Sequence, residues 1–204
     1  MRYEVATLNC QIGKVPAALD RIRDAASNPK RRGKLLACWV AEIGDLNQVL
    51  IISGYDSDAH MIEDRDAMVL GGDPFGVGEF IASMSFDTYV QMPFLPALAA
   101  GPHGPFYEVR VYQFRPGGVA PTIALWQDTV AARAVLSPLL AAMYGIDGVV
   151  PRFMHIWPYK DLNSRQTIRA KATETKVWPP KGGHANLETM SSRIYLPASF
   201  SPLA

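Results

Sequence analysis

The chain has 204 residues, 49% of them apolar, with 20 basic and 19 acidic residues and a formal net charge of +1. This length suits one large domain or two small ones around a real hydrophobic core. The balanced charge excludes a general electrostatic attraction to nucleic acid, membrane surfaces or acidic partners, and no apolar run approaches the ~20 residues of a transmembrane helix.

The two cysteines, Cys10 and Cys38, lie inside apolar segments without CxxC spacing. This pattern predicts buried thiols in a reducing compartment rather than a disulfide or a cysteine metal site. The opening residues alternate like a strand, whereas a signal peptide has a basic start and an unbroken apolar run. We therefore expect a cytoplasmic protein. We expect no metal, since the histidines share no ligand spacing, and no cofactor, since no phosphate-binding or dinucleotide-binding glycine motif occurs.

The first half of the chain opens with a strand at Tyr3, followed by a helix in which apolar residues recur at helical spacing from Val15 to Ala26. Two strands are predicted next, at Leu36–Glu42 and Val49–Ile52. A second helix over Asp58–Leu70 is expected to end at Gly71 and Gly72, and a closing strand follows at Phe86–Met92.

The second half repeats this order. Residues Tyr107–Phe114 alternate and are rich in Val and Tyr, as a strand requires, and Val119, Ile123 and Trp126 begin a helical stripe. The later elements are predicted at Leu139–Tyr144 and Val150–Trp157 (strands), Asp161–Thr173 (a helix capped by Asp161 or Asn163) and Thr189–Leu196 (closing strand).

The two halves match each other at one constant offset of 104 residues, without a gap. The matched pairs include Tyr3 with Tyr107, Gly13 with Gly117, Tyr55 with Tyr159, Arg65 with Arg169, and Pro93 with Pro197. A constant register over most of a repeat indicates duplication of one structural unit. We predict a first repeat over residues 1–100, a Gly/Pro linker over 101–105, and a second repeat with a C-terminal tail over 106–204.

Each repeat has the order βαββαβ, which is the ferredoxin-like arrangement. Its antiparallel sheet carries both helices on one face and leaves the other face bare. Because soluble monomers avoid a large exposed apolar patch, the two sheets are expected to face each other. The sequence therefore predicts an α+β fold in which two fused ferredoxin-like repeats form a barrel within one chain.

Four segments also resemble a known protein family. They are His155–Leu162 with Arg165 after it, Gly44–Val49, Trp178–Lys181, and the ending Leu196–Leu203. Together they resemble the NIPSNAP family over nearly the whole chain. The resemblance implies the dimeric α+β barrel fold, a class that includes cofactor-independent monooxygenases, haem-degrading enzymes, dye-decolourising peroxidases and simple ligand binders. NIPSNAP proteins themselves have no well-established chemistry.

The two halves divide the family's signature between them. The first half keeps Asn47 but has Ile51 and Ser53 where the second has His155 and Trp157. A function that needs the complete set in each half is therefore disfavoured, and one asymmetric site per chain remains open.

Strand alternation selects the side chains that would reach the barrel interior. If Met154 and Ile156 pack on the helices, then Phe153, His155 and Trp157 face the lumen. By the same rule Glu108, Arg110 and Tyr112 face the lumen, with Glu4 as the counterpart of Glu108. A few polar groups among aromatic rings are typical of small-molecule pockets.

Of these residues, His155 and Arg110 are the candidate catalytic pair. His155 would act as a general base, and Arg110 would hold an anionic or carbonyl group. The expected ligand-binding residues are Trp157, Tyr112, Glu108, Phe153 and Glu4. Structural alternatives stay open, with His155 and Trp157 as core residues, and with Arg110, Glu108 and Glu4 as an ion-paired cluster.

Three functions are compatible with these features. The first is binding of a small, partly apolar molecule in the barrel lumen. The second is a cofactor-independent monooxygenase or isomerase-like enzyme that uses the same lumen. The third is a protein-interaction module that uses the basic loop Asn28–Lys34 or the exposed-looking tail Phe200–Leu203. A homodimer is a further expectation, because edge strands left unpaired favour association.

Overall fold

The computed structural model describes residues 1–204. Eight strands and four helices occur in two successive βαββαβ units. The first unit contains β1 (Arg2–Cys10), α1 (Val15–Ala26), β2 (Lys34–Ile43), β3 (Gln48–Tyr55), α2 (Asp58–Leu70) and β4 (Ile81–Gln91). The second contains β5 (Phe106–Phe114), α3 (Val119–Ala134), β6 (Ala141–Gly145), β7 (Arg152–Tyr159), α4 (Leu162–Glu174) and β8 (Leu187–Pro197).

The eight strands close into one antiparallel barrel in the order β1-β3-β2-β8-β5-β7-β6-β4. Within each unit the strands are arranged as in a ferredoxin-like sheet, β4-β1-β3-β2 and β8-β5-β7-β6. The two sheets join where β2 pairs with β8 and where β4 pairs with β6. The predicted fold is therefore confirmed, and closure leaves neither sheet with a free edge.

The predicted offset of 104 residues describes all but the last strand of each unit. Helices α1 and α3 begin at Val15 and Val119, which is this offset. The closing strands depart from it, since Tyr3 lies opposite Tyr89 in the first unit and Tyr107 lies opposite Tyr195 in the second. Those partners are 106 residues apart. The match of Pro93 with Pro197 was wrong, because two additional residues precede β8.

The interior of the barrel is apolar. A cluster of buried side chains takes residues from all eight strands and none from a helix, and Trp39 of β2 stacks on Tyr107 of β5 with ring centroids 4.1 Å apart. Its strand members include Val5, Trp39, Leu50, Tyr89, Val109, Met143, Met154, Ile156 and Tyr195. In this cluster, the two sheet faces that the helices do not cover are buried against each other. The cluster therefore joins the two units.

Two further apolar clusters lie between the sheet and the helices. In the first unit, Ala18 and Ile22 of α1 pack on Leu8 and Ile51. In the second unit, Trp126 of α3 packs on the aromatic residues of β5 and β7. The start of α4 was predicted correctly, since the Ser164 N–H donates to Asp161 Oδ1 at 2.6 Å and the Asp161 N–H donates to Ser164 Oγ at 3.1 Å. None of the four helices has both the length and the apolar character needed to cross a bilayer.

The C-terminal tail packs on its own barrel, contrary to its exposed appearance in the sequence. Leu203 is fully buried, and the indole N–H of Trp39 donates to the Leu203 carbonyl at 2.9 Å. The Ser201 hydroxyl accepts from the Cys38 N–H at 3.1 Å. The tail is therefore part of the fold, and it is not free to serve as the contact segment of an interaction module.

Candidate functional site

The predicted orientation of the site strands was wrong. Val109, Met154 and Ile156 belong to the barrel interior, so their neighbours Glu108, Arg110, Tyr112, Phe153, His155 and Trp157 face the helices α3 and α4. The reason is that both faces of these strands carry large apolar side chains. Alternation separates the two faces correctly but does not say which of them the helices cover.

The structure nevertheless brings the predicted residues of the second unit together. Strands β5 and β7 place Glu108 opposite Trp157, Arg110 opposite His155 and Tyr112 opposite Phe153. Glu4 is separate from them. It lies opposite Ser53 in the first unit and pairs with Arg65 at 2.8 Å, so the ion-paired cluster considered for Glu4, Glu108 and Arg110 does not form.

Glu108 is the only carboxylate that forms ion pairs with the arginines of this layer. Its Oε1 accepts from Arg110 at 2.7 Å, Arg165 at 2.6 Å and the Ser192 hydroxyl at 2.7 Å. Although burial alone would raise the pKa of this carboxyl, the opposing hydrogen bonds and positive charges lower it to about 2. Glu108 is therefore ionised, and it serves as the anchor of the cluster rather than as a proton donor.

His155 is 2% exposed, and only one of its ring nitrogens is satisfied. The Trp157 indole N–H donates to His155 Nδ1 at 2.6 Å, while Nε2 has no hydrogen-bond partner. Burial, aided by the positive charge of Arg110, holds the imidazole pKa well below its ordinary value of 6.5. The ring is neutral at pH 7. Because Nδ1 accepts, the proton resides on Nε2, which is then an unpaired donor.

Arg133 of α3 is buried at 2% exposure and has no carboxylate within ion-pair distance. Its guanidinium lies 4.3 Å from the centre of the Trp157 ring, and its hydrogen bonds to the Ser137 carbonyl and the Tyr159 hydroxyl are long, at 3.4 Å each. Burial lowers its pKa, but a guanidinium remains charged at neutral pH.

A cavity of about 260 Å³ lies between these residues and the loop that follows α4. We call it the repeat-two pocket. Its polar and charged residues are Arg110, Arg133, His155, the partly exposed Arg169, Thr173 and His184. Its apolar walls are Tyr112, Trp157, Trp178, Pro179 and Met190. Of the predicted ligand-binding residues, Tyr112 and Trp157 line the pocket. Glu108 lies beside it, and Phe153 lies behind His155 with ring centroids 4.9 Å apart.

The sequence prediction missed Arg133, Arg169 and Trp178 as site residues. Arg133 follows Trp126 by seven positions, which places a basic residue on the buried stripe of α3. That irregularity was a usable signal. Arg169 was visible only as the repeat partner of Arg65, and Trp178 only as part of the family resemblance. Neither pattern located a pocket.

The barrel lumen is packed with apolar side chains, but a cavity of about 210 Å³ remains at one end. Most of its polar groups are already paired, although Arg152 Nε has no partner. Arg152 bonds to Asp87 at 2.8 Å, Arg193 bonds to Asp45 at 2.8 Å, and the Tyr195 hydroxyl bonds to Gln48 at 2.5 Å. None of the predicted site residues lines this cavity, which makes the repeat-two pocket the stronger candidate.

The first unit provides an internal comparison for the pocket. At the positions of Arg110, Tyr112, His155 and Trp157 it has Ala6, Leu8, Ile51 and Ser53. Of these, Ala6, Leu8 and Ile51 pack in the apolar cluster beneath α1, together with the buried Phe75. The same backbone arrangement is therefore stable with an apolar filling, and the polar residues of the second unit are not a requirement of the fold.

Comparison with known proteins relates each unit separately to one family. The NIPSNAP family profile matches residues 3–96 and again residues 107–202. Among curated relatives, a NipSnap homolog of Dictyostelium discoideum is 22% identical over 213 residues, which cover 96% of this chain and 86% of that protein. The NipSnap protein of Drosophila melanogaster is 24% identical, over 83% of this chain and 64% of its own length.

A solved structure with the same barrel is that of an anthrone oxidase-like protein. It superposes with a TM-score of 0.66 over 97% of this chain and 91% of its own, at 13% identity. An identity this low shows a shared fold and nothing about activity.

Proposed function

We propose that this chain, which belongs to the NIPSNAP family, binds a small and partly apolar molecule in the repeat-two pocket. The observation that carries the proposal is an open cavity lined by the buried His155, whose Nε2 is a donor without a partner. A buried polar group left unpaired costs about 1–3 kcal/mol, and an acceptor on a bound ligand would remove that cost.

The walls of the pocket support a ligand with an apolar body. Trp157, Trp178 and Met190 present flat or flexible apolar surface. At about 260 Å³ the cavity is slightly smaller than the usual range for ligand pockets, which begins near 300 Å³. A single ring or a short branched chain with one polar group would fill it.

The same geometry weakens the enzyme alternative in the form first considered. A general base needs a free lone pair directed at the substrate. Here the lone pair of Nδ1 accepts from Trp157, so Nε2 presents a proton. His155 is better suited to donate a hydrogen bond to a ligand than to remove a proton from one.

The cytoplasmic location and the homodimer remain proposals. Both cysteines are free and buried, which suits a reducing compartment. Closure of the barrel within one chain removes the unpaired edges that first suggested association, so a dimer would have to use the outer surfaces of the helices.

A screen with single-ring fragments at millimolar concentration tests the proposal, with binding read from backbone amide shifts in two-dimensional NMR. We expect fragments to perturb the segment around Trp178 and the α3 and α4 residues that line the pocket. Binding should be lost in His155→Leu and retained in Met154→Leu, a matched change on the opposite face of the same strand. A screen in which no fragment perturbs the pocket, or in which His155→Leu binds as well as the unchanged protein, would overturn the proposal.

A further inference from the structure

We infer that the ligand of the repeat-two pocket is an anion, namely a small monocarboxylate with an apolar body. This inference rests on the proposed function and adds the chemical class of the ligand. It follows from the charge of the site, from the state of Arg133 and from the contrast between the two units.

The charges around the pocket are unbalanced. Arg110, Arg165 and Arg169 each lie within 4 Å of the same carboxylate, Glu108, at 2.7, 2.6 and 3.9 Å. Arg133 pairs with none. Four guanidinium groups therefore share one negative charge, and two of them, Arg110 and Arg133, are largely shielded from water. Such an excess is costly unless an anion occupies the space between the groups.

Arg133 is the group that a bound anion would stabilise most. Its guanidinium is buried, makes only two hydrogen bonds, both 3.4 Å long, and lines the cavity. A guanidinium has five N–H donors in a fixed fork that matches a carboxylate. Most of that capacity is unused here, and Arg110, Arg169 and His155 line the same cavity.

The first unit has the same fold without this excess of positive charge. Of the four arginine positions it keeps only Arg65, with Ala6, Pro29 and Met61 at the positions of Arg110, Arg133 and Arg165. Arg65 is neutralised by two carboxylates, Glu4 at 2.8 Å and Asp147 at 3.1 Å. Its counterpart Arg169 has one carboxylate, at 3.9 Å. Charge is thus balanced within the chain in the first unit and left in excess in the second.

Two features favour a carboxylate over a phosphate group. Arg133 on α3 and Ala172 and Thr173 on α4, which line the pocket, lie in the last turns of their helices, where the helix dipole is negative and opposes a dianion more strongly than a single negative charge. The aromatic walls and the small volume also leave room for an apolar body beside a flat group that carries one charge.

Matched pairs of acids and amides test the inference by calorimetry and NMR. The pairs are benzoate with benzamide and 4-methylpentanoate with its amide, which share shape but differ in charge. We expect at least one acid to bind in the pocket at least ten times more tightly than its amide. Arg133→Met should remove that preference, and Arg169→Gln provides a second, more exposed variant if Arg133→Met does not fold. Arg115→Met, which alters an exposed arginine that pairs with Glu188, is the control and should leave the preference intact.

The outcomes separate this inference from the proposed function. Equal binding of acids and amides in the pocket, or binding of amides alone, would overturn the anion class and leave the pocket in place. Tighter binding of inorganic phosphate than of any acid would overturn the carboxylate. An equal loss of acid binding in Arg115→Met would show a non-specific effect of net charge and would also overturn the inference. Absence of binding by acids, amides and the fragment library together would overturn the proposed function itself.

Discussion

Replacement of Glu108 by glutamine tests the electrostatics of the site against an internal control. Glu108 is fully buried, and its pKa is lowered from 4.5 to about 2, so its ionised form stabilises the fold. A depression of this size corresponds to about 3 kcal/mol at pH 7. This is comparable to the 3–5 kcal/mol lost when one partner is removed from a buried ion pair. We therefore expect Glu108→Gln to lower the free energy of unfolding by about 3 kcal/mol.

Glu4, at the corresponding position of the first unit, should behave differently. It is equally buried, but burial outweighs its pairing with Arg65 and raises its pKa above 4.5. Each of the two carboxylates has one oxygen without a partner, but Arg65 also has Asp147 at 3.1 Å and so keeps a carboxylate when Glu4 is neutral. We expect Glu4→Gln to leave the stability at pH 7 unchanged or slightly higher.

The contributions of Glu108 and Glu4 to stability are expected to change with pH in opposite directions. The folded-state pKa of Glu108 lies below 4.5, so its contribution is fully present above pH 4.5 and is lost as the pH falls toward 2, with roughly half remaining near pH 3. The contribution of Glu4 runs the other way, being present below pH 4.5 and lost as the pH rises through its raised pKa. Urea unfolding of both variants and the unchanged protein, measured at several pH values between 7 and 3, provides the data. Equal losses in the two variants at pH 7, or a Glu108→Gln loss that does not shrink toward pH 3, would refute the reasoning.

Three further predictions concern the tail, the barrel interior and the histidine. Leu203→Ala should cost about 3 kcal/mol, the usual loss for a large-to-small change in a core, without altering the oligomeric state; light scattering that shows a change in assembly at unaltered stability would contradict this. Ile156→Ala should reduce stability by a similar amount while fragments still bind the repeat-two pocket, since its side chain lies inside the barrel; loss of binding would indicate that the ligand site lies in the barrel lumen instead. Affinity for a carboxylate fragment should stay constant from pH 6 to pH 8 in a His184→Gln variant, which lacks the second histidine of the pocket lining, because the His155 pKa lies well below 6.5; a step near pH 6.5 in a calorimetric titration of this variant would show that His155 gains a proton in that range.

The fold could be predicted from the sequence because a duplication records the same element order twice. Tyr3 and Tyr107 are the second residues of equivalent strands, and Tyr55 and Tyr159 end equivalent strands. The offset failed only at β8, since two residues inserted before it shift the partner of Tyr107 to Tyr195. Sequence comparison does not detect such a shift, because Pro93 and Pro197 are identical residues at the unshifted offset of 104.

The site was only half predictable, for a physical reason. Alternation grouped Arg110 with Tyr112 and His155 with Trp157, and the structure brings these four together. It could not decide which face of the sheet the helices cover, because Met154 and Ile156 on one side are as apolar as Phe153 and Trp157 on the other. The helix residue Arg133 completes the pocket from an element distant in sequence, and only the packing of α3 on the sheet brings it there.

The contrast between the units argues for one site per chain rather than two. The family signature is incomplete in the first unit, and its key positions, Ala6, Leu8 and Ile51, are filled with core residues. The second unit keeps His155 and Trp157 and has arginines where the first unit has Ala6, Pro29 and Met61. Duplication therefore leaves one unit free to become a packed partner that closes the barrel, while the other keeps an unfilled, positively charged pocket. If so, replacing His155 with Ile, the residue of the first unit at that position, should change the stability little, because the removal of the unpaired Nε2 donor offsets the loss of the acceptor for the Trp157 indole N–H. A His155→Ile variant that unfolds in urea at a lower concentration than the unchanged protein would show instead that the histidine is a structural part of the core.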